Sequence, residues 1–218
     1  MTMPLIILGG GGQAAVLLEV LSLLQRPVLG FSDRQPPAEK SILNTVEFLG
    51  NDNVLRTRYP PDAVTLINGL GSTGIPTQRA TLFNEFSAAH YHFADIIHPT
   101  AWFSPSAQHS QGLQILAGAI VNTGTTLGEN VLINSRAVVE HHCTIGDHCH
   151  IASGVVICGG CRIGNTVHVG AGAVINHGIT IGDGAIIASG AVVITDVPAH
   201  SLMAGVPAQS KTRSKNHE

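Results

Sequence analysis

From Ile115 to Val193 a branched aliphatic residue recurs at every sixth position without a gap: Ile115, Val121, Leu127, Ile133, Val139, Ile145, Ile151, Ile157, Ile163, Val169, Ile175, Ile181, Ile187 and Val193. A period of six fits neither the 3.6-residue turn of an α-helix nor the two-residue alternation of an ordinary strand. It is the pattern of a parallel β-helix built from hexapeptides, in which each coil buries its apolar side against the next. Two positions before each aliphatic stands a small or medium residue (Ala119, Thr125, Val131, Ala137, Cys143, Cys149), as a narrow prism requires at its corners. Glycine often follows the aliphatic (Gly128, Gly146, Gly164, Gly170, Gly182), which predicts a positive φ at those turns.

Three hexapeptides close one coil, so residues 18 apart stack in columns spaced by about 4.8 Å, the distance between neighbouring strands. One column reads Thr123, His141, Gly159, His177, and the column beside it reads Asn122, Glu140, Cys158, Asn176. On another face His150 lies between Leu132 and His168. Polar groups with lone pairs thus gather at one level of an otherwise apolar rod, which predicts a ligand there.

The 218 residues are 44% hydrophobic and 11% charged, enough for two domains with a large buried fraction. A net charge of −3 and a pI near 6.4 give no electrostatic footprint for nucleic acid. The apolar runs are too short or too interrupted, as by Glu19 and Ser22, to span a membrane. Met1 to Pro4 leads directly into a strand, so the expectation is a cytoplasmic protein. Cys158 and Cys161 form a C-x-x-C, yet Cys143, Cys149 and Cys161 share the small-residue register and are expected inside the prism. Cys158 falls out of that phase, at a turn. No metal is expected.

The chain before the repeat is different. Leu5 to Leu8 reads as a strand, Gly9 to Gly12 as a turn, Gln13 to Leu24 as a helix and Val28 to Phe31 as a second strand ending at Ser32-Asp33-Arg34. This is the opening βαβ of a nucleotide-binding half-fold: glycines let a phosphate approach a helix N-terminus, and an acidic residue after the second strand accepts from ribose or base. Only about 90 residues precede the repeat, too few for two such halves, so a mononucleotide is favoured over a dinucleotide. A further strand, Ala63 to Asn68, ends in Gly69-Leu70-Gly71-Ser72, whose backbone could close over the same ligand. Asn51 to Pro61, with Arg56 and Arg58, reads as a surface connection, and Thr77 to Ala89 as a helix carrying a structural or solvated Arg79. His98-Pro99 marks the hand-over to the repeat. The expected division is 1–94, a Rossmann-like α/β half-domain; 95–208, the β-helix; and 209–218, a solvated tail.

With this glycine turn, the junction Ile97-His98-Pro99-Thr100-Ala101, the hexapeptides, Glu140-His141-His142-Cys143 and the closing Ala204-Gly205-Val206-Pro207-Ala208, residues 3 to 208 resemble the bacterial nucleotide-aminosugar acetyltransferases. These belong to the left-handed β-helix acyltransferase superfamily, and sialic-acid O-acetyltransferases have the same two-domain layout. The resemblance implies a left-handed helix, although parallel crossovers generally favour the right hand. It further implies a homotrimer, acetyl-CoA between adjacent β-helices, and a nucleotide sugar on the N-terminal domain. Position by position, His141 matches the general base, His150 a residue beside the acetyl group, and Gly159 a glycine whose amide meets the thioester carbonyl. Ala171 and Ser189 match positions along CoA; Gly11, Gly12 and Gln13 match the phosphate turn; and Asp33-Arg34 matches an Asp-Asp pair that contacts the base. Gly69 joins the substrate-binding set through its loop. Two residues depart from the pattern: His142 stands where some relatives place an acid that raises the basicity of the histidine, and Arg34 replaces the second acid of the pair.

The reaction implied is N-acetylation of a nucleotide-linked amino-deoxy sugar, 4-amino-4,6-dideoxy in type, for surface glycan biosynthesis. An amine attacking a thioester needs an amide donor for the developing oxyanion and a base for the proton. Gly159 and His141 are the candidates, with Glu140 and Asn122 of similar weight as the group that orients the ring. The alternatives are O-acetylation of a sugar on the same scaffold, a zinc hydratase using His141, His150, His168 and His177, and a sugar-nucleotide binder without turnover.

Overall fold

The computed structural model describes residues 3–212. Leu5–Leu8 (β1) is apolar at every position and buried on both sides, as a strand inside a parallel sheet must be. It lies at the centre of a five-stranded parallel sheet whose other strands are Val28–Ser32 (β2), Glu47–Phe48 (β3), Thr65–Asn68 (β4) and His92–Phe93 (β5), in the order β3-β2-β1-β4-β5. One face, with Leu5, Ile7, Phe31 and Ile67, packs on the helix Gly12–Leu23 (α1). The opposite face, with Ile6, Leu8 and Leu66, packs on Asp52–Arg58 (α2) and Thr77–Ala88 (α3) through Leu55, Phe83 and Phe86.

The helix α2 corrects the expectation of an irregular surface connection over Asn51 to Pro61. The Asn51 side chain accepts from the amides of Asn53 and Val54, Asp52 sits in the first turn, and Arg56 and Arg58 sit in the last. Cap and charges both complement the helix dipole, and burial of Leu55 ties the single apolar stripe to the sheet.

The N-terminal sheet ends at His92–Phe93, and Ile96–Ile97 is already the first strand of the β-helix, paired with Gln114–Ile115. From there each two-residue strand pairs in parallel with its counterpart in the next coil, as in the series Trp102, Ile120, Val138, Val156, Val174, Val192. From Ile115 to Val193 the second residue of each strand points inward to one continuous aliphatic core. Cys143, Cys149 and Cys161 lie in that core and Cys158 is half-buried at a corner. Three faces result. One carries Ile96, Gln114, Leu132, His150, His168 and Ile186; Ile96, Leu116 and Leu132 join the cluster around α1, so this is the face on which the N-terminal domain sits. A second carries Gln108, Thr126, Thr144, Arg162 and Thr180 to solvent. The third is apolar, with the half-exposed Trp102 at one end and partly exposed Ile120, Val138, Val156, Val174 and Val192 along it.

The glycines after the aliphatics have a different cause from the one expected. Gly128, Gly146, Gly164, Gly170 and Gly182 do not have positive φ; the left-handed residues stand further round each corner, among them Asn130, His148, Thr166, Gly172 and Gly184. A Cβ on Gly146 would stand 2.5 Å from Asn165 Oδ1 and 2.8 Å from the Gly164 carbonyl carbon. Asp147, Asn165 and Asp183 form a ladder in which each side chain accepts from the backbone of the coil before it, Asp147 from Glu129, Asn165 from Asp147 and Asp183 from Asn165. Glycine is required there by the close approach of the next coil. At the other end, Gln209–Lys211, assigned to a solvated tail, is exposed but forms an antiparallel strand against Leu202–Ala204. Residues 213–218 of that tail lie outside the described residues.

Candidate active site

At the corner after Val138–Val139 the chain reads Glu140-His141-His142. His141 is exposed, and its ring lies directly under Gly159 of the next coil: a Cβ at 159 would be 2.5 Å from His141 Cε1 and 2.6 Å from Nε2. The stacking expected from the coil period is therefore a direct contact, and only glycine at 159 leaves room for it. Among the described residues the Gly159 N–H donates to nothing, while its carbonyl accepts from Gly178. An exposed imidazole and a backbone amide without a partner among the described residues thus lie at one corner.

Glu140 and Asn122 pair with each other and not with His141. Glu140 Oε2 accepts from Asn122 Nδ2 at 3.0 Å, and among the described residues neither side chain hydrogen-bonds to the His141 ring. The partner of His141 Nδ1 is His142 Nδ1, at 3.0 Å. Adjacent side chains meet because His142 has φ +57°, which turns its ring back beside that of His141, edge to face. Cys158, in the coil above Glu140, has its thiol pushed up by partial burial and by the neighbouring Cys161 and Glu140, which disfavours a thiolate nucleophile.

His150 is elsewhere. It is 5% exposed and His168 is 7% exposed, both beneath the loop that follows β4. Ser72 Oγ lies 2.8 Å from His150 Nδ1 and 3.2 Å from His168 Nδ1, and Asn134 Nδ2 lies 3.3 Å from His150 Nε2. Burial pushes His150 down to about 3, helped by His168 and Arg79, and His168 down to about 4, so both rings are neutral. Within one chain, His150 therefore shares neither corner nor solvent with His141. Ala171 and Ser189 are exposed at a third place, the turns after His168–Val169 and Ile186–Ile187. Among the described residues no group of three or more His, Cys, Asp or Glu is placed to hold a metal.

A second site opens at the carboxyl edge of the N-terminal sheet. A cleft of about 630 Å³ is lined by residues that include Gly9, Asp33, Arg34, Asn51, Arg56 and Gln78. Asp33 Oδ2 accepts from Gly10 N and Oδ1 from Arg34 N, both at 2.5 Å, so this carboxylate ties the glycine turn to the end of β2. Nothing lies within 4 Å of a Cβ built on Gly11 or Gly12, and neither has positive φ. The fold itself does not require glycine at either position. Both are exposed at the N-terminus of α1, a helix with no side-chain cap and no acid in its first turn. Their lack of side chains leaves this helix N-terminus open, a geometry that suits close approach of an anion.

Other expected substrate residues have internal roles. Gln13 Nε2 donates to Gln114 Oε1 of the β-helix at 3.3 Å, and Gly69 is packed so tightly that a Cβ would be 2.7 Å from Ile7 Cγ2 and Leu8 O. Arg79 is fully buried; Nη1 donates to the carbonyls of Asn68 and Leu70 and Nε to that of Asn130, which fixes the loop after β4. Sequence reasoning missed the contacts of Ser72 with His150 and His168 and of His142 with His141, since both depend on how domains and corners turn rather than on spacing. It also missed Asn51 in the cleft wall, for which the cap signal Asn51-Asp52 was available.

Residues 124–159 and 160–195 match the family model for the bacterial transferase hexapeptide (six repeats). Comparison with curated protein sequences gives no match. Among solved structures, a point variant of perosamine N-acetyltransferase from Caulobacter crescentus, in complex with CoA and GDP-perosamine, is 30% identical with a TM-score of 0.86, covering 96% of this chain and 97% of that one. The acetyltransferase domain of PglB from Neisseria gonorrhoeae, in complex with acetyl coenzyme A, is 28% identical with a TM-score of 0.88, covering 97% and 100%. WeeI from Acinetobacter baumannii shares the fold at 20% identity, with a TM-score of 0.79 over 96% of this chain and 100% of that one. The likeness runs through both domains and includes the hand of the β-helix, and with it the chain belongs to the nucleotide-aminosugar acetyltransferases, acetyl-CoA-dependent enzymes of the left-handed β-helix, hexapeptide-repeat superfamily.

Proposed function

We propose that this protein transfers the acetyl group of acetyl-CoA directly to the amino group of a nucleotide-linked amino-deoxy sugar of the 4-amino-4,6-dideoxy type, in surface glycan biosynthesis, with His141 as general base. The observation that carries this reading is the end-to-end likeness to an N-acetyltransferase seen with both CoA and GDP-perosamine, in a chain that has an open cleft at the carboxyl edge of its N-terminal sheet and an exposed histidine beneath an unpaired amide. The sugar amine attacks the thioester carbonyl carbon, forming the C–N bond; the carbonyl oxygen becomes an oxyanion to which the Gly159 N–H can donate. His141 Nε2 takes the proton from nitrogen, the C–S bond breaks, and the proton passes to the departing sulfur. Asp33, Arg34, Gly11 and Gly12 are the residues proposed to hold the nucleotide; His150, Gly159, Ala171 and Ser189 are those proposed along acetyl-CoA.

Because those last four residues lie on more than one face of the prism, one chain does not wrap them around a single ligand. The working unit in this reading is a homotrimer. The row Trp102, Ile120, Val138, Val156, Val174, Val192 is an exposed apolar strip of the kind that a second copy covers, and a closed ring of heterologous contacts would bring one chain's His141 corner to another's CoA face.

The test follows thiol release from acetyl-CoA with UDP-, GDP- and dTDP-linked 4-amino sugars and free sialic acid. His141→Asn is expected to lower kcat by about 10² to 10⁴ and leave binding of both substrates in place. In the Caulobacter enzyme, forms with a histidine replaced by asparagine or alanine still hold CoA and GDP-perosamine. Turnover at the wild-type level in His141→Asn would remove His141 from the mechanism.

A further inference from the structure

Two imidazole Nδ1 atoms at 3.0 Å, those of His141 and His142, bond only when one carries hydrogen and the other does not; two lone pairs, or two N–H groups, would repel. Of the two bonded states, the one in which His141 donates leaves its Nε2 unprotonated, and Nε2 lies with Cε1 on the ring edge packed against Gly159. We propose that His142 is the positioning residue for the base, accepting from His141 Nδ1–H and so presenting the Nε2 lone pair to the substrate; this rests on the reading of His141 as base. When His141 takes the substrate proton it becomes an imidazolium, and the same contact becomes a charge-assisted hydrogen bond, stronger in the transition state than before it.

The backbone is arranged for this contact. In the column of His142, the coil before it carries Gly124 and the two coils after it carry Gly160 and Gly178, all with positive φ, so over these four coils the corner position is left-handed and His142 stands among three glycines. The ring occupies the space over Gly124, where a Cβ would stand 2.8 Å from His142 Cδ2. A histidine in this left-handed region is sterically disfavoured relative to glycine, and the ring contact is what it gains.

A neutral acceptor behaves differently from a carboxylate at the same place. A proton on His142 Nδ1 removes the acceptor and sets a like charge beside the base, while a proton on His141 removes the base itself. The acid limb of kcat/KM is therefore expected to follow two coupled protonations. The other titratable groups at this corner are Glu140, whose carboxylate holds Asn122, Cys158 one coil above and His177 two coils above. Gly124 and Gly160 flank His142 without side chains.

The test is His142→Gly in the full-length protein, a change that installs the residue the column already uses at this φ. Expected are KM values for both substrates close to wild type, kcat lower by about tenfold to a hundredfold, by analogy with the range seen when a metal-bound histidine loses its orienting partner, and an acid limb reduced to one proton. Wild-type kcat and an unchanged limb in His142→Gly, in a protein where His141→Asn is inactive, would overturn the positioning role and leave the base intact. Full activity in His141→Asn would instead overturn the base and this proposal with it. A raised KM with unchanged kcat would assign His142 to substrate binding and refute positioning.

Discussion

His150 and His168 are held neutral by the loop packed over them, and that has a cost in acid. Once unfolded, each regains its ordinary value of 6.5, so between about pH 6.5 and the folded values of about 3 and 4 the unfolded chain binds protons that the folded one does not. Their contribution is complete above pH 6.5 and is lost progressively as the pH falls through that window. His168→Leu, an apolar residue like Leu132 and Ile186 in the same ladder, is expected to keep the fold and shrink the fall in urea midpoint between about pH 7 and about pH 5. An equal fall in variant and wild type would mean that these rings titrate freely in the folded protein.

At the level of elements, the β-helix was legible because a six-residue period admits one architecture and the stacking of every third hexapeptide fixes every column. His141 under Gly159 is a result of that arithmetic. What spacing could not supply was the sense in which each corner turns: adjacent side chains in a strand point to opposite faces, and only the positive φ of His142 brings it to His141. The glycines after the aliphatics were visible as a pattern but misassigned in cause, since the clash belongs to the next coil rather than to the glycine's own turn. Gly146→Ala should test the corrected cause. With a Cβ 2.5 Å from Asn165 Oδ1 and 2.8–2.9 Å from backbone, it is expected to destabilise by about 1–3 kcal/mol, the usual effect of overfilling a packed site, read as a lowered Tm. No change in Tm would mean the coils have slack. The helix α2 was legible from Asn51, Asp52 and Leu55, but the density of turn-forming residues around it outweighed that signal.

For the whole molecule, the unread step was which face of the prism the N-terminal domain covers. That domain reaches across with Ser72 to His150 and His168, leaving the row of valines uncovered and His141 on a corner away from it. If trimers complete the site, the protein should sediment as three chains at working concentration. Mixing inactive His141→Ala chains with inactive Ser189→Trp chains should then recover part of the activity in hybrid rings, whereas a fully active monomer would refute the assembly.

The central claim is direct transfer of acetyl to a sugar nitrogen, and its most direct measurement is the fate of carbonyl-labelled acetyl-CoA mixed with protein and a nucleotide-linked 4-amino sugar. The expected product carries the label as an amide on the intact nucleotide sugar, stable to hydroxylamine, formed equally well by Cys158→Ser. Label recovered as a hydroxylamine-labile sugar ester, or trapped on Cys158 before it reaches the sugar, would contradict the account.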